Sequence, residues 1–333
     1  MKRLLRLIIL LIIIPGLLVA WIFLLPNNSN TTKYLLIPTH AGYAQVKDSV
    51  QGKLTSAWTF NLASKLLGYS GMVKPGRYAI KPGMNNLQLI RSLRSGRQAA
   101  VKLVINKMRT KTEVSLFLGS KFEAGAASWD SLLSSSSFLN NFGADTNTAL
   151  TLFIPNTYEI YWNTAPDKVL KRLYSEQQKF WTDARVGKAS QQKLTPAQAY
   201  TLASIVEEES NYKKERPNIA SVYLNRLHTG MRLQADPTVK FAVGNFELRR
   251  ILQGHTQTVS PYNTYLVTGL PPGPICIPST NSIDAVLDAP STTYLYFCAN
   301  ADFSGSHVFA TTYADHLVNA RAFQKALNDR NIK

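Results

Sequence analysis

Residues 7–25 form an uncharged run of nineteen, preceded by Lys2, Arg3 and Arg6. A bilayer core takes about 20 apolar residues as a helix, so a run of this length has the composition of a transmembrane segment. Pro15 and Gly16 fit that reading, since both are tolerated in membrane helices. A cleaved signal peptide shares the basic start, but its apolar core is only about 7–15 residues and ends in a small-residue cleavage site. Val19, Ala20, Trp21, Ile22 and Phe23 supply no such site. The positive-inside bias, with basic residues before the run and none at 26–32, puts the amino terminus in the cytoplasm. The expectation is a tail at 1–6, a single-pass anchor at 7–25 with the rest exported, and a polar linker at 26–33.

Beyond that run the composition is that of a folded chain. Hydrophobic residues make 45% and charged residues 17% of 333, which excludes a charged disordered tail and leaves room for one large or two modest domains. The net charge is +17. Export argues against nucleic acid as the partner. An anionic polymer or lipid headgroups, or simple solubility, remain equal readings of the surplus. Cys276 and Cys298 leave a disulfide and two buried thiols equally open. The five histidines show no metal-ligand spacing, so neither a metal nor another cofactor is expected.

Local signals divide the exported part. Residues 34–38 and 77–80 read as strands around a helix at 58–67. Asn85 with Gln88 is a capping box, followed by Leu87, Ile90 and Leu93 at helical spacing and a stop at Gly96. These predict a small α/β module at 34–100. Residues 102–105 read as a strand and the serine-rich 129–142 as a poorly amphipathic helix or a mobile stretch. Residues 154–162 alternate around a Pro155-Asn156 turn, and Thr164 with Asp167 starts a helix. The fold class is α+β, with the larger mixed domain at 101–333.

Thr195, Pro196 and Gln198 supply an N-cap, a proline in the first turn and a capping-box partner, so a helix starts there and runs into Glu207, Glu208 and Glu209. At about 100° per residue, Leu202, Ile205 and Val206 share a face and Glu209 falls near its middle, while Glu207 and Glu208 project away. Glu209 is therefore the carboxylate expected to lose water and gain a raised pKa, as a general acid near neutral pH requires. Glu207 and Glu208 are expected at the surface, where substitution costs little.

Several later runs are specific. Residues 203–209 read ASIVEEE, 220–227 read ASVYLNRL, 230–239 read GMRLQADPTV, 262–265 read YNTY and 269–273 read GLPPG; YLYF at 294–297 and HVF at 307–309 extend the series. In this order they resemble the MltG-type, YceG-like endolytic murein transglycosylases, and the resemblance covers nearly the whole chain. It makes residues 74–96 similar to a LysM-like module and Pro155 to Tyr158 similar to the family's linking segment.

The resemblance implies cleavage of nascent peptidoglycan strands between N-acetylmuramic acid and N-acetylglucosamine without water. It puts the working carboxylate at Glu209, in agreement with the helix angles, and leaves 1,6-anhydro ends. It also implies peptidoglycan synthases, the penicillin-binding proteins, as partners, and an inner-membrane location with the catalytic domain in the periplasm. Asn225, Gln234, Asp236, Tyr262, Asn263 and Tyr265 are the expected substrate-binding residues. Asp236 is also the candidate second carboxylate of a hydrolytic muramidase, although Asp before Pro-Thr is equally a turn residue, and Tyr262 and Tyr265 read equally as core aromatics. His307 reads as a satisfied core histidine. The alternatives to a transglycosylase are that muramidase and a non-catalytic peptidoglycan-binding protein.

Overall fold

The computed structural model describes residues 2–28, 31–248 and 250–330. The chain is mixed α+β and divides into two compact units, Met1–Leu103 with Gly119–Gly125 and Tyr158–Ala165, and Val104–Leu118 with Ala126–Thr157 and Pro166–Lys333.

The first unit contains α1 (Lys2–Phe23), β1 (Lys33–Ile37), α2 (Tyr43–Val50), α3 (Ala57–Leu66), β2 (Gly76–Ile80) and α4 (Asn86–Ser95). β1 and β2 pair antiparallel, with Leu35 opposite Tyr78 and Ile37 opposite Gly76. Side chains alternate across a strand, so Leu35, Ile37, Tyr78 and Ile80 fall on one face, where they are fully buried with Phe60, Leu89 and Leu93. The capping box of α4 is present, and Gly96 ends the helix in the left-handed conformation at φ 74°. β3 (Val101–Val104) pairs with β4 (Thr157–Ile160) in a second short sheet.

The expected membrane anchor is corrected here. Among the described residues no helix is long and apolar enough to cross a membrane. The uncharged run stops being helical at Phe23. Ile22 is buried in the first unit's core, Phe23 packs against that core, and Asn86 Nδ2 donates to the Ile22 carbonyl at 2.7 Å. The end of α1 is therefore tied to the unit's core through Ile22 and Phe23. The inner-membrane, single-pass location inferred from that anchor falls with it.

The stretch after α1, read as a linker, is also built in. Asn27 and Asn28 are buried. Asn27 Nδ2 donates to Ser56 O at 2.8 Å and to Asn86 Oδ1 at 2.6 Å, and its Oδ1 accepts from Ser56 N.

α5 (Lys111–Lys121) leads into the serine-rich stretch, which breaks into α6 (Ala126–Leu133), α7 (Ser136–Leu139) and a single 3₁₀ turn at Asn140–Phe142. Trp129, Leu133 and Leu139 are fully buried, so the stretch is packed despite its serines. The second unit continues through α8 (Pro166–Phe180), α9 (Asp183–Gln191), α10 (Pro196–Glu209), α11 (Arg216–His228), α12 (Asp236–Val243), α13 (Gln253–Thr256) and α14 (Thr280–Leu287). It closes with β5 (Tyr296–Ala299), β6 (His307–Ala310) and α15 (Tyr313–Asp329).

The centre of this unit is α10. Every residue from Ala199 to Val206 is buried, so the helix has no solvent face along its middle and packs against α9, α11, α12 and α14. The single-face reading of α10 is corrected accordingly, and with it the expectation that Glu207 and Glu208 lie at the surface.

The proline-rich loop is stitched onto the same helix. Ile275 N donates to Ser204 Oγ at 3.0 Å, and Ile277 N donates to Met108 O at 2.8 Å. At Gly273 the loop passes so close to other backbone that an added Cβ would lie 2.1 Å from Asn147 O. Gly273→Ala must displace main chain, so it is expected to cost about 1–3 kcal/mol. A lowered thermal midpoint for the full chain would show it; an unchanged midpoint would mean that the loop is loosely held.

Candidate active site

Three carboxylates end α10, and each meets a different environment. Glu207 accepts from Arg216 Nη1 at 2.9 Å, from Ser279 Oγ at 2.5 Å and from Ser282 Oγ at 2.7 Å, with Ser279 N at 3.2 Å. Burial alone would raise its pKa, but the serine hydrogen bonds and the Arg216 charge hold it below the ordinary carboxylate value. Glu208 lies between Lys107 and Arg109, each at 3.0 Å.

Glu209 has no ion pair among the described residues. Its side chain keeps some solvent contact, but the carboxyl is surrounded closely enough that lost hydration pushes its pKa up to about 7. The Tyr223 hydroxyl donates to Glu209 Oε1 and opposes the rise. The Asp236 charge adds to it, and the Arg226 and Lys240 charges oppose it.

α11 carries Tyr223 and Arg226 three residues apart, which puts them on one side of the helix. Tyr223 is 1% exposed and meets Phe297 edge-on at 5.8 Å. Arg226 is also buried; its Nε donates to Leu295 O at 2.7 Å and its Nη1 to Leu233 O at 2.6 Å, so backbone carbonyls rather than a carboxylate hold it.

Asp236, in a stretch read as loop, is the first residue of α12, with Pro237 behind it in the first turn. Its carboxylate is exposed and accepts from the Tyr265 hydroxyl at 2.6 Å. Gln234 is exposed and takes a left-handed backbone at φ 50°. Its N–H donates to Thr264 O at 3.1 Å, which ties the 230–239 segment to the YNTY loop.

The other expected site residues are placed differently. Asn263 is fully buried, donating to Thr256 O and Thr258 O and accepting from Tyr265 N, so it shapes the loop that presents Tyr265. Asn225 donates to the carbonyls of Thr292 and Tyr294, both at 2.9 Å, and fixes the approach to β5. Tyr262 packs on Phe241 with ring centroids 4.7 Å apart. His307 Nδ1 lies 2.7 Å from Glu215 Oε1, which also accepts from Ser210 Oγ. Cys276 and Cys298 are free thiols.

Glu209, Tyr223, Arg226, Asp236, Lys240 and Tyr265 thus share one electrostatic environment, the first two in direct contact. A carboxyl titrating near 7 beside a second carboxylate is suited to proton donation at an acetal oxygen. Sequence reasoning passed over Tyr223, Arg226 and Lys240. The signal for the first two was the Ile219, Tyr223, Arg226 spacing on α11, which aims them where the apolar residues go.

The YceG-like family model matches residues 35–322. The chain belongs to the YceG-like family. This YceG-like chain is 28% identical over 324 residues to the endolytic murein transglycosylase of Bacillus subtilis strain 168, with 92% of this chain and 88% of that one covered. To the endolytic murein transglycosylase of Streptococcus pneumoniae serotype 2 strain D39 it is 24% identical over 327 residues, and it spans only 59% of that longer protein. The crystal structure of a yceG-like protein from Listeria monocytogenes matches with a TM-score of 0.57 and 25% identity, covering 87% of this chain and 99% of that one.

The contrast between Glu207 and Glu209 has a sign. Glu209 has a folded pKa above its unfolded value of about 4.5, so the native state binds the extra proton between about pH 4.5 and 7 and loses stability as pH rises through that window. Glu209→Gln removes the effect and is expected to be more stable than the parent at pH 8 by up to about 3 kcal/mol, with the gap closing near pH 4. Glu207→Gln leaves buried Arg216 short of its counter-charge and is expected to be less stable at pH 8 by about 3–5 kcal/mol. Denaturant titrations at both pH values decide the pair. If Glu209→Gln tracks the parent at every pH, the raised pKa is wrong.

Proposed function

We propose that this YceG-like chain is an endolytic murein transglycosylase, a lyase that cuts nascent glycan strands between N-acetylmuramic acid and N-acetylglucosamine, leaves 1,6-anhydro ends and so terminates strand elongation. The observation that carries the reading is Glu209, a carboxyl titrating at about 7 and hydrogen-bonded by Tyr223. Family membership and the names of the two bacterial relatives support it.

In this mechanism Tyr223 occupies Oε1, so the acidic proton of Glu209 sits on Oε2 and passes to the glycosidic oxygen as the C1–O bond breaks. The carboxylate left behind takes the proton of the muramic acid 6-hydroxyl while that oxygen bonds to C1. One residue serves as acid and then as base, and no water enters the product. Asp236 helps keep Glu209 protonated beforehand, and its negative charge favours the oxocarbenium-like transition state. Gln234 and the Tyr262 to Tyr265 loop line the sugar path. The first unit serves as a separate glycan-binding module, and peptidoglycan synthases are the partners that supply the strand.

Asp236 beside Glu209 also favours a second reading, hydrolysis by a muramidase with two carboxylates. Mass analysis of products from purified glycan separates them: anhydro ends support the lyase, reducing ends the hydrolase, and intact strands a binder. Glu209→Gln is expected to lower turnover by about 10²–10⁴ with substrate binding kept. Because the protonated form acts first, kcat/KM is expected to fall about tenfold per pH unit above pH 7, and Tyr223→Phe, which removes a donor that lowers the Glu209 pKa, is expected to move that limb upward. A flat profile from pH 6 to 9 would remove Glu209 from the acid role.

A further inference from the structure

Phe297 in β5 and His307 in β6 are diagonal neighbours on one face of the strand pair, because Phe297 lies opposite Phe309 and Ala299 opposite His307. Their rings meet edge-on, with centroids 5.3 Å apart. Phe297 in turn meets Tyr223 edge-on at 5.8 Å, and the Tyr223 hydroxyl donates to Glu209 Oε1. One line of contact thus runs from His307 to the carboxyl of Glu209.

A second line leaves the same histidine and reaches the main chain of Glu209. Glu215 is 5% exposed, and among the described residues the basic side chain that reaches its carboxylate is His307. Glu215 Oε2 accepts from His307 N at 2.9 Å, and Oε1 lies 2.7 Å from His307 Nδ1, which is the donor because a carboxylate only accepts. Oε1 also accepts from Ser210 Oγ at 2.5 Å. Ser210 directly follows Glu209, is buried, and has left the helix for an extended backbone at φ −143° and ψ 133°. A helix end frays unless something outside the helix holds it. The serine hydroxyl does so here, on a carboxylate that takes its other two donors from His307.

We infer that His307 is a positioning residue for the acid: through Glu215 and Ser210 it fixes the main chain at Glu209, and through Phe297 it fixes the tyrosine that holds the Glu209 carboxyl. A ring that merely filled the core could be exchanged for an apolar side chain at a cost in stability alone. The effect of His307 on rate rests on the transglycosylase reading, whereas its effect on the Glu209 carboxyl does not.

The test uses the full chain and two readouts. In the first, carbon-13 NMR follows the Glu209 carboxyl through a pH titration, its signal identified by its absence from Glu209→Gln. The parent is expected to titrate at about 7. Tyr223 lowers that value, and the other groups that face Glu209 stay in place in every variant: Arg226 on α11, Asp236 and Lys240 on α12, and Tyr265. His307→Leu cuts both lines and is expected to move the midpoint upward as the tyrosine hydrogen bond loosens. In the second readout, kcat for anhydro-product formation is expected to fall about tenfold to a hundredfold with KM kept within about twofold, the scale for a reacting group displaced by about 1 Å. His307→Asn keeps a side-chain N–H toward Glu215 and His307→Phe keeps a ring toward Phe297, so each is expected to recover part of both losses. Thermal melts set equal folded concentrations. If His307→Leu does not fold, Ser210→Ala, which cuts the main-chain line and leaves the histidine in place, is read in its stead with the same expectations. An unmoved midpoint, or turnover equal to the parent's, overturns the inference. A parent that cuts no glycan overturns the transglycosylase reading alone, and the titration then decides the role of His307.

Discussion

Arg216 and Glu207 hold the second unit's working end together. Arg216 comes from α11, Glu207 from α10, and Ser279 and Ser282 from the start of α14, so one buried ion pair with its hydroxyl partners joins three helices. Arg216 Nε also donates to Ser210 O at 3.1 Å, just past the last residue of α10. A helix C-terminus normally frays and repels anions, because its free carbonyls carry the negative end of the helix dipole. Here three carboxylates sit at that end with no basic residue in the last turn of α10. The counter-charges come from elsewhere in the fold. Removing them would release the helix end and with it the position of Glu209.

The clamp also explains why neighbouring residues of one type behave differently. Glu207 gains an arginine and two hydroxyls, Glu208 gains a lysine and an arginine, and Glu209 gains a tyrosine hydroxyl and, among the described residues, no ion pair. Burial acts on both Glu207 and Glu209, yet the first is held ionised while the second drifts up to about 7. The supply of donors therefore decides which carboxylate becomes an acid. Ser210 and Glu215 extend the restraint, since Ser210 Oγ donates to Glu215, which also accepts from the His307 N–H.

Much of this was legible in the sequence wherever the signal was local. Thr195, Pro196 and Gln198 marked the start of α10, and Asn85, Gln88 and Gly96 bounded α4, because caps depend on residues three or four apart. Where tertiary packing overrode the pattern, the reading failed. α10 was treated as amphipathic and is buried along its middle, so Glu207 was expected at the surface and is instead the pivot of the clamp. Asp236-Pro237 was weighed as a turn, though proline in a first helical turn is equally common chemistry. The uncharged amino-terminal run was judged by length and composition alone, and nothing in it announces that Ile22 joins a protein core. Tyr223 needed a contact between two helices, which one-dimensional spacing hints at but does not specify.

Chemistry at Glu209 and capture of a charged polymer place opposite demands on a surface. A carboxyl that must stay protonated near neutral pH needs poor hydration and few cations close by, since each added positive charge lowers its pKa, as Arg226 and Lys240 already do. A long anionic strand is held best by many cations. Placing both at one site would deprotonate the acid. The acid lies in the second compact unit, whereas thirteen of the seventeen surplus charges lie in residues 1–103.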